Sequence, residues 1–133
     1  MRNTKIVEIE AKGRDTGKAF LITEMSADAA ERWAIRLGFA LMNSGVDMPD
    51  FGEVTGMADI ARIGLSALAR VPYEAAEPLI AEMMDCVQII PDPNKIKVVR
   101  DLIPDDIEEV TTRFKLKKEV WDLHVSFFTG AAQ

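Results

Sequence analysis

The sequence predicts an α+β domain that is mainly helical, with an N-terminal β-hairpin, a second short β-hairpin and a long C-terminal amphipathic helix. Three observations predict this class. Apolar and charged residues alternate over residues 5–11, and a β-branched and aromatic segment follows at residues 18–24. Apolar residues recur every three or four positions in the middle of the chain. A two-faced apolar pattern runs from about residue 107 to residue 128.

Composition excludes several classes of protein. The 133 residues suit a single domain over residues 1–133, with a disordered tail predicted at about 130–133. A net charge of −6 disfavours a nucleic-acid partner, because phosphate backbones repel an acidic surface. No apolar run approaches the roughly 18 to 20 residues of a membrane span, and the first residues contain no signal-peptide core. The sequence therefore predicts a cytoplasmic protein that binds neither membrane nor nucleic acid.

The turn of the first hairpin contains one motif that resembles a phosphate-binding loop. Residues 13–19 read GRDTGKA. A P-loop needs four residues between its glycines and a Ser or Thr after the lysine. Here three residues separate the glycines and Ala19 follows Lys18. The segment is therefore predicted to be a hairpin turn and not a nucleotide site.

Ser26 is the predicted N-cap of a helix that stops near residues 43–45. Its apolar positions follow helical spacing and include Trp33. A tryptophan on such a stripe usually packs inside the protein. We therefore expect Trp33 to be buried and Trp33→Ala to cost about 3 to 5 kcal/mol.

The middle of the chain predicts a loop at residues 47–52 and a helix at residues 56–70. Pro72 then breaks the chain and starts a further helix. Two β-rich segments, residues 88–90 and 96–100, flank a turn rich in Pro and Asn. They predict the second hairpin.

The C-terminal helix is predicted to open at residues 105–109, where Asp106 and Glu109 have the spacing of a capping box. Acidic residues in the first turn stabilise a helix, because their negative charge interacts favourably with the helix dipole. Adjacent carboxylates splay around a helical turn and do not converge on a metal ion. The acidic cluster is therefore interpreted as a helix start.

This helix has two apolar faces, although one is enough to dock it on its own domain. The first face comprises Ile107, Val110, Phe114, Trp121, Val125 and Phe128. The second face comprises Leu116, Val120, Leu123 and Phe127. We expect the first face to pack inward, because it is longer and begins at the predicted cap. The second face is then the predicted surface for a partner or for self-association, so Asp at Leu116 and Leu123 should leave the monomer folded.

The sequence predicts no catalytic, metal or cofactor site. One histidine, His124, is too few for a histidine-based metal cluster. Cys86 and His124 could form a catalytic pair only if the fold joins them, and no glycine-rich elbow accompanies them. Cys86 is interpreted as a small buried residue, and the pair is kept as the enzyme alternative.

Three segments resemble tail assembly chaperones of long-tailed bacteriophages and prophages. They are residues 77–93 (EPLIAEMMDCVQIIPDP), residues 106–124 (DIEEVTTRFKLKKEVWDLH) and residues 17–25 (GKAFLITEM) followed by Ala29, Glu31, Trp33 and Ala34. The resemblance covers nearly the whole chain and includes no catalytic signature.

The resemblance implies a non-enzymatic function. Such chaperones bind the long, hydrophobic tape measure protein in the cytoplasm of the infected or lysogenic host, help to recruit tail tube protein, and leave the finished tail. Many have a short form and a longer, frameshifted form. The alternative is a structural tail component, such as a connector or tube-completion subunit, which would remain in the virion.

Overall fold

The α+β class is confirmed by the computed structural model, which describes residues 2–43, 45 and 71–129, with side chains to residue 124. Within these ranges the chain has three α-helices and a four-stranded antiparallel sheet, about 48% helix and 16% strand. The elements in chain order are β1 (Thr4–Glu8), β2 (Ala19–Thr23), α1 (Ala27–Asn43), α2 (Tyr73–Met84), β3 (Val87–Ile90), β4 (Arg100–Asp101), a 3-10 turn (Pro104–Asp106) and α3 (Val110–Thr129).

The two predicted hairpins join into one sheet of order β1-β2-β3-β4. Val7 pairs with Phe20, which pairs in turn with Ile89. Because directly opposed residues of an antiparallel sheet point to the same side, these three side chains share one face, and all three are buried. The alternation in the sequence therefore identified the buried face of the first hairpin correctly.

The second hairpin differs from its prediction in one strand. Ile96 and Val98 are exposed and lie outside the sheet, and β4 is a two-residue strand at Arg100–Asp101. Backbone N–H groups of Lys95 and Val98 donate to the carbonyls of Asp92 and Lys95, respectively, so the connection is a series of turns. This local turn chemistry prevents residues 96–99 from pairing with β3.

The chain forms two compact units, each discontinuous in sequence. The sheet unit contains residues 1–24 and 83–123, and the helical unit contains residues 25–82 and 124–133. The single domain over residues 1–133 stays a prediction. None of the described helices is both long and apolar enough to cross a membrane.

In the helical unit, α1 begins as predicted. The Ser26 hydroxyl accepts a hydrogen bond from the Ala29 N–H at 3.2 Å, the geometry of an N-cap. The Trp33 side chain is half-buried, not fully buried, and its indole Nε1–H donates to the Leu79 carbonyl of α2 at 2.9 Å. Because part of the ring stays in water, the loss on Trp33→Ala should fall below the 3 to 5 kcal/mol of a full core truncation.

Several predictions fall outside the described residues. They are the loop at 47–52, the helix at 56–70 and the tail at 130–133. The side chains of Val125, Phe127 and Phe128 are also outside that range, although α3 itself continues to Thr129.

Candidate protein-binding face

A buried carboxylate in the first hairpin turn holds the start of α3. Asp15 has no exposed surface and accepts hydrogen bonds from four groups. The donors are Glu108 N–H at 3.0 Å, Glu109 N–H at 3.0 Å, the Thr112 hydroxyl at 2.7 Å and the Lys18 ammonium at 2.9 Å. The two amides directly precede α3, where the helix dipole favours a negative charge. Asp15 thus caps α3 from a distant part of the chain.

The protonation of this cluster follows from its hydrogen bonds. Burial alone would raise the pKa of the Asp15 carboxyl. The bonds from Glu108, Thr112, Lys18 and Glu109 outweigh burial and lower that pKa well below its ordinary value of 3.8. The hydrogen bond to Asp15 in turn raises the pKa of Lys18. Asp15 is therefore a carboxylate and Lys18 an ammonium across the neutral range.

A second ion pair stabilises the segment just before α3. Arg100 donates two hydrogen bonds to the Asp106 carboxylate, at 2.7 and 2.8 Å, and the Ile103 N–H donates a third at 2.8 Å. These contacts lower the pKa of Asp106, the Arg100 bonds most of all. The Lys18 ammonium also donates to the Asp106 carbonyl at 2.8 Å, which links both ion pairs.

The predicted capping box at Asp106 and Glu109 is wrong, because both side chains have other partners. Asp106 belongs to the 3-10 turn and binds Arg100 and Ile103. The Glu109 carboxylate accepts a hydrogen bond from the Arg14 N–H at 2.8 Å. The α-helix therefore begins at Val110, several residues later than predicted.

Gly13 leaves space for the Glu109 carboxylate, and a Cβ at this position would collide with Glu109 Oε1. We expect Gly13→Ala to displace that carboxylate and to lose about 1 kcal/mol with the Arg14 hydrogen bond, in addition to a backbone cost from the φ of +158° that does not depend on Glu109. A double-mutant cycle with Glu109→Ala, with unfolding free energies measured in urea, tests whether the cost arises from the contact with Glu109.

The cost of Gly13→Ala should shrink in the Glu109→Ala background. Gly17→Ala is the control, because Gly17 has a φ of +86° with open space around it. Its cost comes from the backbone and should be the same in both backgrounds. An unchanged cost for Gly13→Ala would show that the Glu109 contact is not responsible.

The prediction that Leu116, Val120, Leu123 and Phe127 form the exposed face of α3 is wrong where the structure tests exposure. Leu116 and Val120 are fully buried and Leu123 is half-buried. The physical reason is the bond between Thr112 and Asp15. Leu116 and Val120 follow Thr112 at i+4 and i+8, so they lie on the same side of the helix and point inward with it.

The opposite side of α3 is exposed at its N-terminal end. Val110 is 64% exposed and Phe114 is 62% exposed, whereas Trp121 further along the first predicted face is buried. The Lys117 ammonium lies 5.4 Å from the centroid of the Phe114 ring, within the range of a cation–π contact. Burial, with a smaller effect of the Arg113 charge, lowers the pKa of Lys117. We call Val110, Phe114 and Lys117 the outer face of α3.

His124 and Cys86, the residues of the enzyme alternative, lie in different units of the structure. The His124 Nε2 accepts a hydrogen bond from the Met25 N–H at 2.8 Å. Cys86 is a half-buried thiol in the sheet unit and His124 belongs to the helical unit, so the pair stays a hypothesis. Within the described ranges, no three His, Cys, Asp or Glu side chains gather as metal ligands would. The GRDTGKA turn places Asp15 and Lys18 in the ionic cluster at the start of α3.

Comparison of the chain with protein-family models, curated proteins and solved structures finds no match in any of the three.

Proposed function

We propose that this chain is a non-enzymatic tail assembly chaperone of a long-tailed bacteriophage or prophage. In this proposal it binds the tape measure protein in the host cytoplasm and assists assembly of the tail tube protein. The resemblance of residues 77–93 and 106–124 to that family supports the proposal. The structural observation that carries it is the outer face of α3, where two large apolar side chains are exposed side by side.

The outer face has the properties expected of a contact for an apolar helical segment. Val110 and Phe114 are separated by one helical turn, the spacing at which helices present anchors to a partner. Basic side chains surround them, since residues 113–118 contain Arg113, Lys115, Lys117 and Lys118 and no acid. The apolar centre binds an apolar client, and the charged rim keeps the unbound surface hydrated.

Rigid presentation also supports a binding function. The Asp15 cluster fixes the beginning of α3, and Lys5 of β1 forms a 2.8 Å ion pair with Glu119 further along the same helix. The outer face is therefore held in place before any client arrives. A surface that is already ordered loses less conformational entropy when it binds.

Support for a non-enzymatic function comes from His124. A histidine that accepts a backbone hydrogen bond at Nε2 cannot use that nitrogen as a general base without breaking the bond. Cys86→Ala is expected to support normal tail assembly, and a loss of assembly with an intact fold would favour the enzyme alternative.

The proposal is tested by co-expression with fragments of the tape measure protein from the same phage. The native chain should keep an aggregating fragment in the soluble fraction and copurify with it. The double variant Val110→Asp, Phe114→Asp should lose most of this effect, because a charge in a desolvated contact is unfavourable. Ile96→Asp is the matched control, since it adds a charge at another exposed apolar residue of the sheet unit.

Three results would contradict the proposal or its site. Fragments that stay insoluble with the native chain would remove the chaperone function. Recovery of the chain in purified virions would favour the structural tail component. Equal loss of binding in Ile96→Asp and in the double variant, with both proteins folded by circular dichroism, would move the contact away from the outer face.

A further inference from the structure

A second exposed helix face carries the opposite charge to α3. The first turns of α2 present Tyr73, which is 68% exposed, together with the exposed residues Glu74 and Glu77. Tyr73–Met84 contains three glutamates and no basic residue. Glu82, the third, forms a 2.6 Å ion pair with Arg36 of α1. We call Tyr73, Glu74 and Glu77 the acidic face of α2.

The acidic face has the same residue spacing as part of α3, with charges of the opposite sign. In α2, Tyr73 is followed by glutamates at positions +1 and +4. In α3, Phe114 is followed by lysines at positions +1 and +4, Lys115 and Lys118. On two α-helices this spacing gives the same angles around the axis and the same rise of about 1.5 Å per residue. When two such faces meet, the aromatic residue and the residue at +4 lie near the line of contact and can pair directly, whereas the two +1 residues lie on opposite sides of it.

The lysines of this pattern are accessible to a partner. Lys115 is exposed, and Lys118 is exposed although its ammonium lies 2.8 Å from Asp122 of the same helix. An exposed pair of this kind contributes little to stability, so Lys118 can exchange partners at small cost. Lys117 stays over the Phe114 ring and leaves most of that ring exposed.

We propose that a second copy of this chain docks its acidic face on the basic side of α3. With the two helices parallel, Tyr73 of one copy packs on Phe114 of the other and Glu77 reaches Lys118. Glu74 and Lys115 lie at opposite edges of the contact, where they add to the attraction between an acidic and a basic helix face. The interface is heterologous, since each copy contributes a different face.

The charges of the two helix faces favour a second copy of this chain as the partner that binds the basic side of α3. Two copies with a net charge of −6 repel one another in most orientations. Contact between the acidic face of one copy and residues 113–118 of the other is attractive, so it favours this relative orientation of the two copies over others. Both halves of the contact belong to this chain, so the association needs no client and is independent of the proposed function. Phe114 belongs to both surfaces, so a client bound there excludes the second copy.

The test reverses the charges of one face at a time. The first variant is Glu74→Lys, Glu77→Lys, and the second is Lys115→Glu, Lys118→Glu. The purified native chain should show a mass in sedimentation velocity that rises with protein concentration and falls with added salt. Each variant alone should dissociate about tenfold more readily, because like charges then face each other. An equimolar mixture of the two variants should associate again, since each supplies the charge that the other has reversed.

Lys95→Glu, Lys97→Glu is the matched control, because it makes the same change in charge at two exposed residues between β3 and β4. It should associate like the native chain. A native chain that is monomeric at every concentration overturns the proposal. So does a mixture that fails to associate, or a control that dissociates as readily as the second variant.

Discussion

Asp15→Ala is expected to lower the free energy of unfolding by about 3 to 5 kcal/mol, the range for removing one partner of a buried ion pair. The native carboxylate satisfies the Glu108 and Glu109 N–H groups, the Thr112 hydroxyl and the Lys18 ammonium. Alanine leaves these donors without that acceptor. Urea unfolding should show a lower midpoint, and Asp105→Ala, at an exposed acid, should change the midpoint little.

The same carboxylate makes a defined contribution to the dependence of stability on pH. Because folding lowers the pKa of Asp15, its contribution is fully present above the ordinary value of 3.8. The contribution is lost as the pH falls through the lower pKa of the folded protein. Folding raises the pKa of Lys18, so the contribution of Lys18 is present below its ordinary value of 10.5 and is lost as the pH rises through the folded value.

These directions predict how native and Asp15→Asn proteins differ. Their difference in unfolding free energy should stay constant between about pH 5 and pH 9 and should shrink below about pH 4, where the unfolded carboxylate becomes protonated. A difference that grew as the pH fell would mean that folding raises the pKa of Asp15. The hydrogen bonds assigned to it would then be wrong.

Leu116→Asp is expected to unfold the sheet unit. Leu116 has no exposed surface, and truncation of such a leucine already costs about 2 to 5 kcal/mol. A buried charge without a partner adds several kcal/mol more, comparable to the entire stability of a small domain. Circular dichroism and thermal unfolding should show loss of the cooperative transition.

Phe114→Asp is the matched comparison, because it makes the same type of change two residues away. It should cost about 1 kcal/mol or less, since its site is mostly exposed. A folded Leu116→Asp protein together with an unfolded Phe114→Asp protein would show that α3 is rotated the other way. Leu116 and Val120 would then be available to a partner, as the sequence alone suggests.

Local signals in the sequence predict the first hairpin and α1 well. The alternation around Val7 and Phe20, the glycine-containing turn and the Ser26 cap each act over a few residues, and each is found in the structure. The second hairpin was predicted with one strand misplaced, because the turns formed by Asp92 and Lys95 continue further than the β-rich composition suggests.

The start and the orientation of α3 could not be predicted from local signals. Both faces of the helix are apolar at helical spacing, so periodicity does not choose between them. The choice depends on Thr112, whose partner is Asp15 in the first hairpin turn. The turn resembles a P-loop in its glycines and Lys18, but the residue that determines the orientation of α3 is Asp15, which lies between the two glycines.

The bond between Asp15 and Thr112 also determines when the chain can finish folding. The two residues are 97 positions apart, so their contact closes a long loop. Such contacts raise the contact order of a fold and slow its formation, because the loss of loop entropy precedes the gain from the contact. During synthesis, the β1–β2 turn leaves the ribosome well before residues 108–112 exist. The sheet unit therefore completes its ionic cluster only after residues 108–112 have been translated.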